Sequence, residues 1–409
     1  MTAPSASPAR AAAGPVPVDS DERLHALDIL RGFALAGMIL VHFHQRVERP
    51  VNGGEDLIAW GIWIFVEQKA WGTFAFLFGA GFAVLLRRLE ARGASVTPLY
   101  LRRLAGLALI GIVVQVGFDF HILLEYACWG LVLFLVRRWS TRSLLVLAGV
   151  AACAWPVIAE ITALHAWKTG APMPAPIDRA LVDAVASAAQ HGTYPALLAA
   201  RWALFIAEIP RQWRDFVPNS NLTLFVLGAL ALRHRVLDEP LRHVRLIRGW
   251  MIFGAASWAF SWTLLRDLPS VPFEAADWPI KYGFGLVQDQ WLCLAYVGGI
   301  VLLLAYRPGW VGRLRGIGTA GRMALTNYLL QAAFFDVFGS RYGLGLRVRP
   351  YVYVLLMPAF FAVQVALSRW WLARYRFGPF EWLWRSITYA RLQPLRRAPV
   401  TTRAPAAVG

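Results

Sequence analysis

Residues 23–44 read Arg23-Leu24-His25-Ala26-Leu27-Asp28-Ile29-Leu30-Arg31-Gly32-Phe33-Ala34-Leu35-Ala36-Gly37-Met38-Ile39-Leu40-Val41-His42-Phe43-His44. A charged pair opens the stretch, an apolar run follows, and two histidines close it. A run of this kind predicts a membrane helix. At 100° per residue Asp28, Arg31, Leu35, Met38 and His42 share one face. One stripe therefore carries an ion pair at one end and an imidazole about 16 Å further along. His44 points to another side and reads as interfacial.

The same kind of run recurs near residues 70–86, 103–118, 121–136, 143–164, 221–233, 246–265, 285–306, 319–338 and 351–372. The expected fold is all-α, a polytopic membrane bundle of about ten transmembrane helices. Residues 57–66 and 196–209 read as half-spans or interfacial helices. The run at 221–233 is short and is expected to begin earlier, after Pro218. Composition agrees: of 409 residues 58% are hydrophobic and 16% charged, and the mean hydropathy is +0.49. A typical soluble domain is nearer 25% charged. A disordered chain, a collagen-like chain and an ordinary soluble enzyme are thereby excluded.

The net charge is +17, and only Lys69, Lys168 and Lys281 are lysines. The arginines cluster at the ends of apolar runs, which orients membrane helices and argues against nucleic acid as a partner. Alternate turns are rich in them: Arg87, Arg88, Arg92, Arg102 and Arg103; Arg137, Arg138 and Arg142; Arg233, Arg235, Arg242, Arg245 and Arg248; Arg307, Arg313 and Arg315. Residues 119–121 carry none, and in 266–284 Arg266 and Lys281 face Asp267, Glu274 and Asp277. Both termini are then expected in the cytoplasm of a multi-pass cell-membrane protein.

The expected organisation is a disordered leader over 1–22, a bundle over 23–390, and a basic tail over 391–409 lying on the anionic inner leaflet. Within the bundle, N-terminal spans cover 23–164, an external segment 165–218 and a C-terminal block 219–390. The external segment holds Pro172, Pro174, Pro176, Trp202 and Trp213. It reads either as a cap or docking surface or as an interfacial helix anchored by tryptophan. No cleavable signal peptide is evident. Leu30-Arg31-Gly32 with Ala36-Gly37 echoes Leu314-Arg315-Gly316 with Ala320-Gly321, too slight a match to signal a transporter repeat.

Cys128, Cys153 and Cys293 sit in apolar runs and read as core residues; their spacing fits no metal site. P-loop, Rossmann and H-E-x-x-H motifs are absent. His42 has two readings, an imidazole facing a cavity or a hydrated interfacial side chain. Asp28 and Arg31 likewise read as a headgroup anchor or a substrate contact. Gly79 and Gly81 are expected to permit close helix packing. Glu381 and Arg385 are spaced as an i,i+4 pair on an interfacial helix with Trp382 and Trp384 as anchors. Glu125, Glu160, Glu208, Asp289 and Asp336 lie within or beside apolar runs and are candidates to line a cavity.

Four ordered blocks carry a resemblance. Leu27-Asp28-Ile29-Leu30-Arg31-Gly32-Phe33-Ala34 is similar to the opening signature of the YeiB-like membrane proteins, whose C-terminal part is domain-of-unknown-function family 418. Leu77-Phe78-Gly79-Ala80-Gly81-Phe82, Gly321 to Gln331, and Gly378-Pro379-Phe380-Glu381-Trp382-Leu383-Trp384-Arg385 resemble its later blocks. The opening signature also resembles the acyltransferase-3 and glucosaminide acetyltransferase families, which move acyl groups across a membrane. In the former a key histidine follows the aspartate by fourteen residues, the position of His42. Many YeiB-like chains have Asn there. A second departure is His121, which takes the place of an aspartate in the turn Phe118 to Glu125.

The resemblance implies a membrane acyltransferase acting on an extracytoplasmic hydroxyl or amine of an envelope glycan, lipid or metabolite, among membrane lipids. Acyl-CoA is the implied donor substrate, with no tightly bound cofactor and no metal. Arg31, Arg87, Arg102 and Arg103 are candidates for the CoA phosphates. His42, with Asp28 on its stripe, is the catalytic candidate, as general base or acyl acceptor. Asn327 and Gln331 are oxyanion donors or interhelical hydrogen-bonding groups. A transporter or flippase for an anionic solute or lipid, and a non-catalytic envelope assembly factor, are the competing classes.

Overall fold

The computed structural model describes residues 25–44, 53–91, 93, 95–120, 122–169, 179–216, 221–266, 285–339, 343–345 and 349–397. The leader, Arg23, Arg92, His121, the prolines at 172–176, Pro218, Asp267, Glu274, Asp277, Lys281 and the tail from 398 lie outside the described residues, as do the side chains of His44, Glu160, Trp213, Arg266 and Asp289.

The described chain is helical almost throughout. In order it forms α1 (His25–His44), α2 (Gly53–Phe65), α3 (Glu67–Ala91), α4 (Val96–Phe118), α5 (Ile122–Leu135), α6 (Thr141–Thr169), α7 (Arg179–His191) and α8 (Tyr194–Phe216). There follow α9 (Asn221–Arg233), α10 (Val244–Arg266), α11 (Gly285–Tyr306), α12 (Gly309–Arg313), α13 (Arg315–Arg322), α14 (Ala324–Gly339), α15 (Pro350–Arg374) and α16 (Pro379–Tyr389). Four stretches are long and apolar enough to cross a membrane: His25–His42, Leu57–Ala91, Val96–Phe118 and Val354–Arg374. Shorter apolar helices cover Ile122–Leu135, Thr141–Ala154, Asn221–Arg233 and Trp291–Tyr306. Leu109, Val113, Ile252, Leu355 and Leu367 stand exposed on helix exteriors. Large apolar side chains in such number on an outer surface suit acyl chains, not water. The molecule is an all-helical membrane protein.

Over the described residues each apolar run lies in helix, apart from a turn at Val136 and one break. The run 319–338 is interrupted at Met323 (φ −109°, ψ 34°), where α13 ends and α14 follows from Ala324. Helix α9 is interior, with ten of its thirteen residues buried, and the earlier start expected after Pro218 falls on 217–220, outside the described residues. The cysteines also divide, since Cys293 is buried whereas Cys153 is exposed on α6.

Two close crossings hold the centre. A Cβ at Gly79 of α3 would lie 1.9 Å from the carbonyl oxygen of Phe225 in α9, and one at Gly228 equally close to that of Phe76. Helices α1 and α13 cross in the same reciprocal way. A Cβ at Gly321 would meet the Asp28 oxygen at 1.9 Å, and one at Gly32 the Ile317 oxygen at 2.2 Å. Small residues let backbones approach within van der Waals contact, the main attraction available between helices in lipid. Gly81 differs from expectation. Its nearest neighbour is the Arg31 guanidinium at 3.5 Å, an ordinary contact, and it lines a cavity rather than a helix crossing. The segments echoing one another in sequence, 30–37 and 314–321, lie against each other across the α1–α13 crossing.

Gly79→Ala and Gly321→Ala are therefore expected to lower stability by about 1–3 kcal/mol or more, as overpacking does. Gly81→Ala is expected to stay within about 0.5 kcal/mol of wild type. Thermal unfolding in detergent, followed by helical circular dichroism, measures the difference.

Candidate functional site

A cavity of about 250 Å³ opens between α1, α3, α4, α5, α13, α14 and α16. Its arginine-lined end, the mouth, is only partly buried and lies at the end of α1 that carries Asp28 and Arg31. Four guanidinium groups line it, from Arg31, Arg103, Arg322 and Arg385, against one carboxylate, Glu381. Arg31 is tied to Asp28 at 2.9 Å, an i,i+3 pair in the first turns of α1. The acidic member sits where the helix N-terminus favours negative charge. Arg103 lies over the ring of Trp384, 3.6 Å from its centroid. Trp384 in turn donates its indole N–H to the Arg103 carbonyl at 2.7 Å. Arg385 lies over Phe377 at 4.6 Å. Stacking on an aromatic face orients a guanidinium group without using its in-plane donors.

Glu381 accepts from the Thr326 backbone N–H at 3.0 Å and from its hydroxyl at 2.5 Å. Burial pushes its carboxyl above the usual range, and the two Thr326 bonds pull the other way. The tryptophans beside it, expected as interfacial anchors, are bonded within the protein: Trp384 to Arg103, and Trp382 to the Gln393 carbonyl.

Above the mouth the lining turns aromatic and apolar, with Phe82, Tyr100, Leu107, Tyr126, Met38 and Tyr328. Tyr100 donates to the Gly130 carbonyl and Tyr126 to that of Trp71, which fixes both rings. Tyr328 faces two ways. It lines the cavity, and its ring lies 5.9 Å from that of His42. His42 is buried at 7% exposure, with Phe120 at 4.1 Å and Phe335 at 6.1 Å as further ring neighbours. The predicted stripe of α1 thus divides. Arg31 and Met38 reach the cavity, while His42 occupies an aromatic chamber next to it, behind Tyr328.

The remaining candidates lie elsewhere. Arg87 pairs with Asp238, the Nη1–Oδ2 distance being 2.5 Å, and Arg102 is exposed; neither lines the cavity. Asn327 donates to the Ala320 carbonyl at 3.1 Å and the Ser368 hydroxyl at 2.9 Å. Gln331 donates to Gln364 at 3.0 Å and to the Leu35 carbonyl at 3.4 Å, and Gln364 donates to the Asn327 carbonyl at 3.0 Å. This ladder joins α1, α13, α14 and α15, and the amide donors of Asn327 and Gln331 are engaged within it.

Arg322, Arg385, Tyr100, Tyr126 and Tyr328 line the cavity without having been singled out by their spacing as substrate contacts. Polar residues inside apolar runs were the available signal. A further one is Arg201 of α8, which makes a buried ion pair with Asp336 of α14 at 2.6 Å.

The chain matches two protein families. Residues 23–170 match the catalytic region of heparan-alpha-glucosaminide N-acetyltransferase. Residues 231–391 match a protein family of unknown function, DUF418. Arg31, Tyr100, Arg103 and Tyr126 come from the first region, and Arg322, Tyr328, Glu381 and Arg385 from the second, so the cavity lies on the seam between them. The uncharacterised protein YxaH of Bacillus subtilis is 30% identical, over 93% of this chain and 98% of its own length. An uncharacterised 39.9 kDa protein from the amylase 3′ region of Bacillus acidopullulyticus is 28% identical over 93% and 97%. The uncharacterised protein YeiB of Escherichia coli is 28% identical over 91% and 98%. No solved structure matches.

Asn327→Ala removes both donations to Ala320 and Ser368 and is expected to lower stability by about 1–3 kcal/mol. Binding of an anionic ligand at the cavity mouth should stay within about twofold of wild type, because Asn327 lies off it. Thermal unfolding and ligand titration on the same preparation test the two halves.

Proposed function

The chain belongs to the YeiB-like DUF418 family of membrane proteins, and from that premise we propose that it moves an acyl group from cytoplasmic acyl-CoA to an extracytoplasmic hydroxyl or amine of an envelope glycan, lipid or metabolite. The carrying observation is the cavity that joins an arginine mouth to the aromatic wall beside His42. The match of residues 23–170 to an acetyltransferase catalytic region supports the same reading.

In this reading about ten helices cross the cell membrane, and the mouth opens to the cytoplasm, as the arginine-rich turns favour. Arg31, Arg103, Arg322 and Arg385 take the phosphates of CoA, bidentate donors being suited to phosphate oxygens. At about 250 Å³ the cavity is below the size of a site for a whole drug-sized ligand. It suits the slender pantetheine arm, with the nucleotide left at the mouth. The thioester then lies among Tyr126, Tyr328 and Met38, next to the His42 chamber.

The acceptor oxygen or nitrogen attacks the thioester carbonyl. His42 takes the proton it loses, the carbon–sulfur bond breaks, and the departing thiolate recovers a proton. Alternatively the imidazole attacks first and passes the acyl group on from an acyl-imidazole. Both routes need His42 within reach of the thioester, which requires Tyr328 to turn aside.

The test uses the full chain in nanodiscs. Free CoA released from acetyl-CoA and longer acyl-CoAs is followed with a thiol reagent, with and without an envelope extract. His42→Ala is expected to lower extract-dependent release by about 10²–10⁴-fold. Arg322→Gln and Arg385→Gln are expected to raise the donor KM roughly tenfold, a loss of about one charge-assisted bond, with Arg87→Gln and Arg102→Gln near wild type. Absence of both CoA binding and release in folded protein overturns the acyl-transfer reading. Movement of an anionic solute or lipid without CoA consumption replaces it with transport.

A further inference from the structure

The segment between the two family matches holds α8, and a buried arginine of α8 reaches two other parts of the bundle. The guanidinium of Arg201 donates to Oδ1 of Asp336 at 2.6 Å, to Oδ2 at 3.3 Å and to the Gly117 carbonyl at 2.6 Å. Both side chains of the ion pair are buried, at 5% and 0% exposure. Tyr194, at the start of α8, reaches the same Gly117 carbonyl at 3.4 Å. Gly117 is three residues before Phe120, and Asp336 directly follows Phe335. Phe120 and Phe335 are ring neighbours of His42. One guanidinium therefore ties together the two backbone segments that supply the aromatic walls of the histidine chamber.

We propose that Arg201 is a positioning residue for His42: it sets the spacing of Phe120 and Phe335 and makes α8 the closing wall of the chamber. The inference rests on the reading of His42 as the reacting base. A doubly bonded buried ion pair suits this task. Moving either wall breaks a charge-assisted bond in a place where water is excluded, so the chamber has one well-defined closed geometry. A neutral side chain at 201 would leave α8 held by apolar contact and the longer Tyr194 bond, with no link to Asp336 to set the wall spacing.

The test reads access to His42 independently of acyl transfer. Full-length protein in nanodiscs is treated with diethylpyrocarbonate, and modification of the His42 and His234 peptides is followed by mass spectrometry. His234 is exposed, and its ring bonds Thr141 at 2.9 Å. Arg201→Gln alone strands a buried carboxylate and endangers folding. The informative variant is therefore the double change Arg201→Gln with Asp336→Asn. Its His42 is expected to react roughly tenfold faster than in wild type, a local opening, with His234 unchanged. Arg201→Lys, which keeps the charge but not the two-pronged contact, is expected to retain part of the protection.

Equal His42 rates in wild type and the folded double variant overturn the proposal. So does a parallel rise at His42 and His234, which marks general loosening. If CoA release is absent while His42 alone becomes accessible, the clamp stands and the acyl-transfer reading falls. If CoA release depends on His42 while access is unaltered by the double change, the clamp falls and that reading stands.

Discussion

At Gly321 a side chain would have to occupy space 1.9 Å from the Asp28 carbonyl oxygen, so α1 and α13 meet backbone to backbone. Much of the site follows from that contact. Arg322 is the residue after Gly321, and Arg31 is one turn beyond Asp28, so the crossing brings two guanidinium groups to one cavity mouth. Arg31 keeps its charge compensated through Asp28 on its own helix. Met38 is two turns further along the same stripe and lines the cavity above. A wider crossing, as any larger residue at 321 would impose, would separate the arginines contributed by the two family regions.

A second constraint is the treatment of polar groups in a medium that offers them no water. The Gln331 amide bonds that of Gln364 and the Leu35 carbonyl, Gln364 bonds the Asn327 carbonyl, and the Asn327 amide bonds Ala320 and Ser368, so that four helices are joined. Arg201 and Asp336 answer each other directly. At the mouth arginine predominates: four guanidinium groups line the cavity with Glu381, which bonds Thr326, while Asp28 pairs with Arg31. Burial of unlike charges in pairs gives structure; a cationic excess at a cavity mouth gives a place for an anion.

The helices and their apolar nature were legible in the sequence because hydrophobic runs of sufficient length leave few alternatives in lipid. So was the Asp28–Arg31 pair, since i,i+3 neighbours are fixed by helical pitch alone. The helix break at Met323 was not legible: no proline marks it, and Gly321 and Arg322 just before it are residue types that also occur inside membrane helices. Arg385 was assigned to an interfacial helix, and the position of that helix under α4 depends on the Trp384–Arg103 contact, 281 residues apart. Gly79 and Gly81 look alike in sequence. One meets a carbonyl of α9 and the other faces the cavity, because they stand about 200° apart around α3.

The sequence by itself determined that this is a helical membrane chain, which family's blocks it carries, and that one face of its first helix bears Asp28, Arg31, Met38 and His42. These properties depend on local composition and on the fixed pitch of a helix. Which arginines share a cavity, that Tyr328 stands between that cavity and His42, and that Arg201 meets Asp336 were decided only by the tertiary structure. Each depends on the angle and separation at which distant helices cross, and those are set by side-chain volume at the crossing points, which no single stretch of sequence contains.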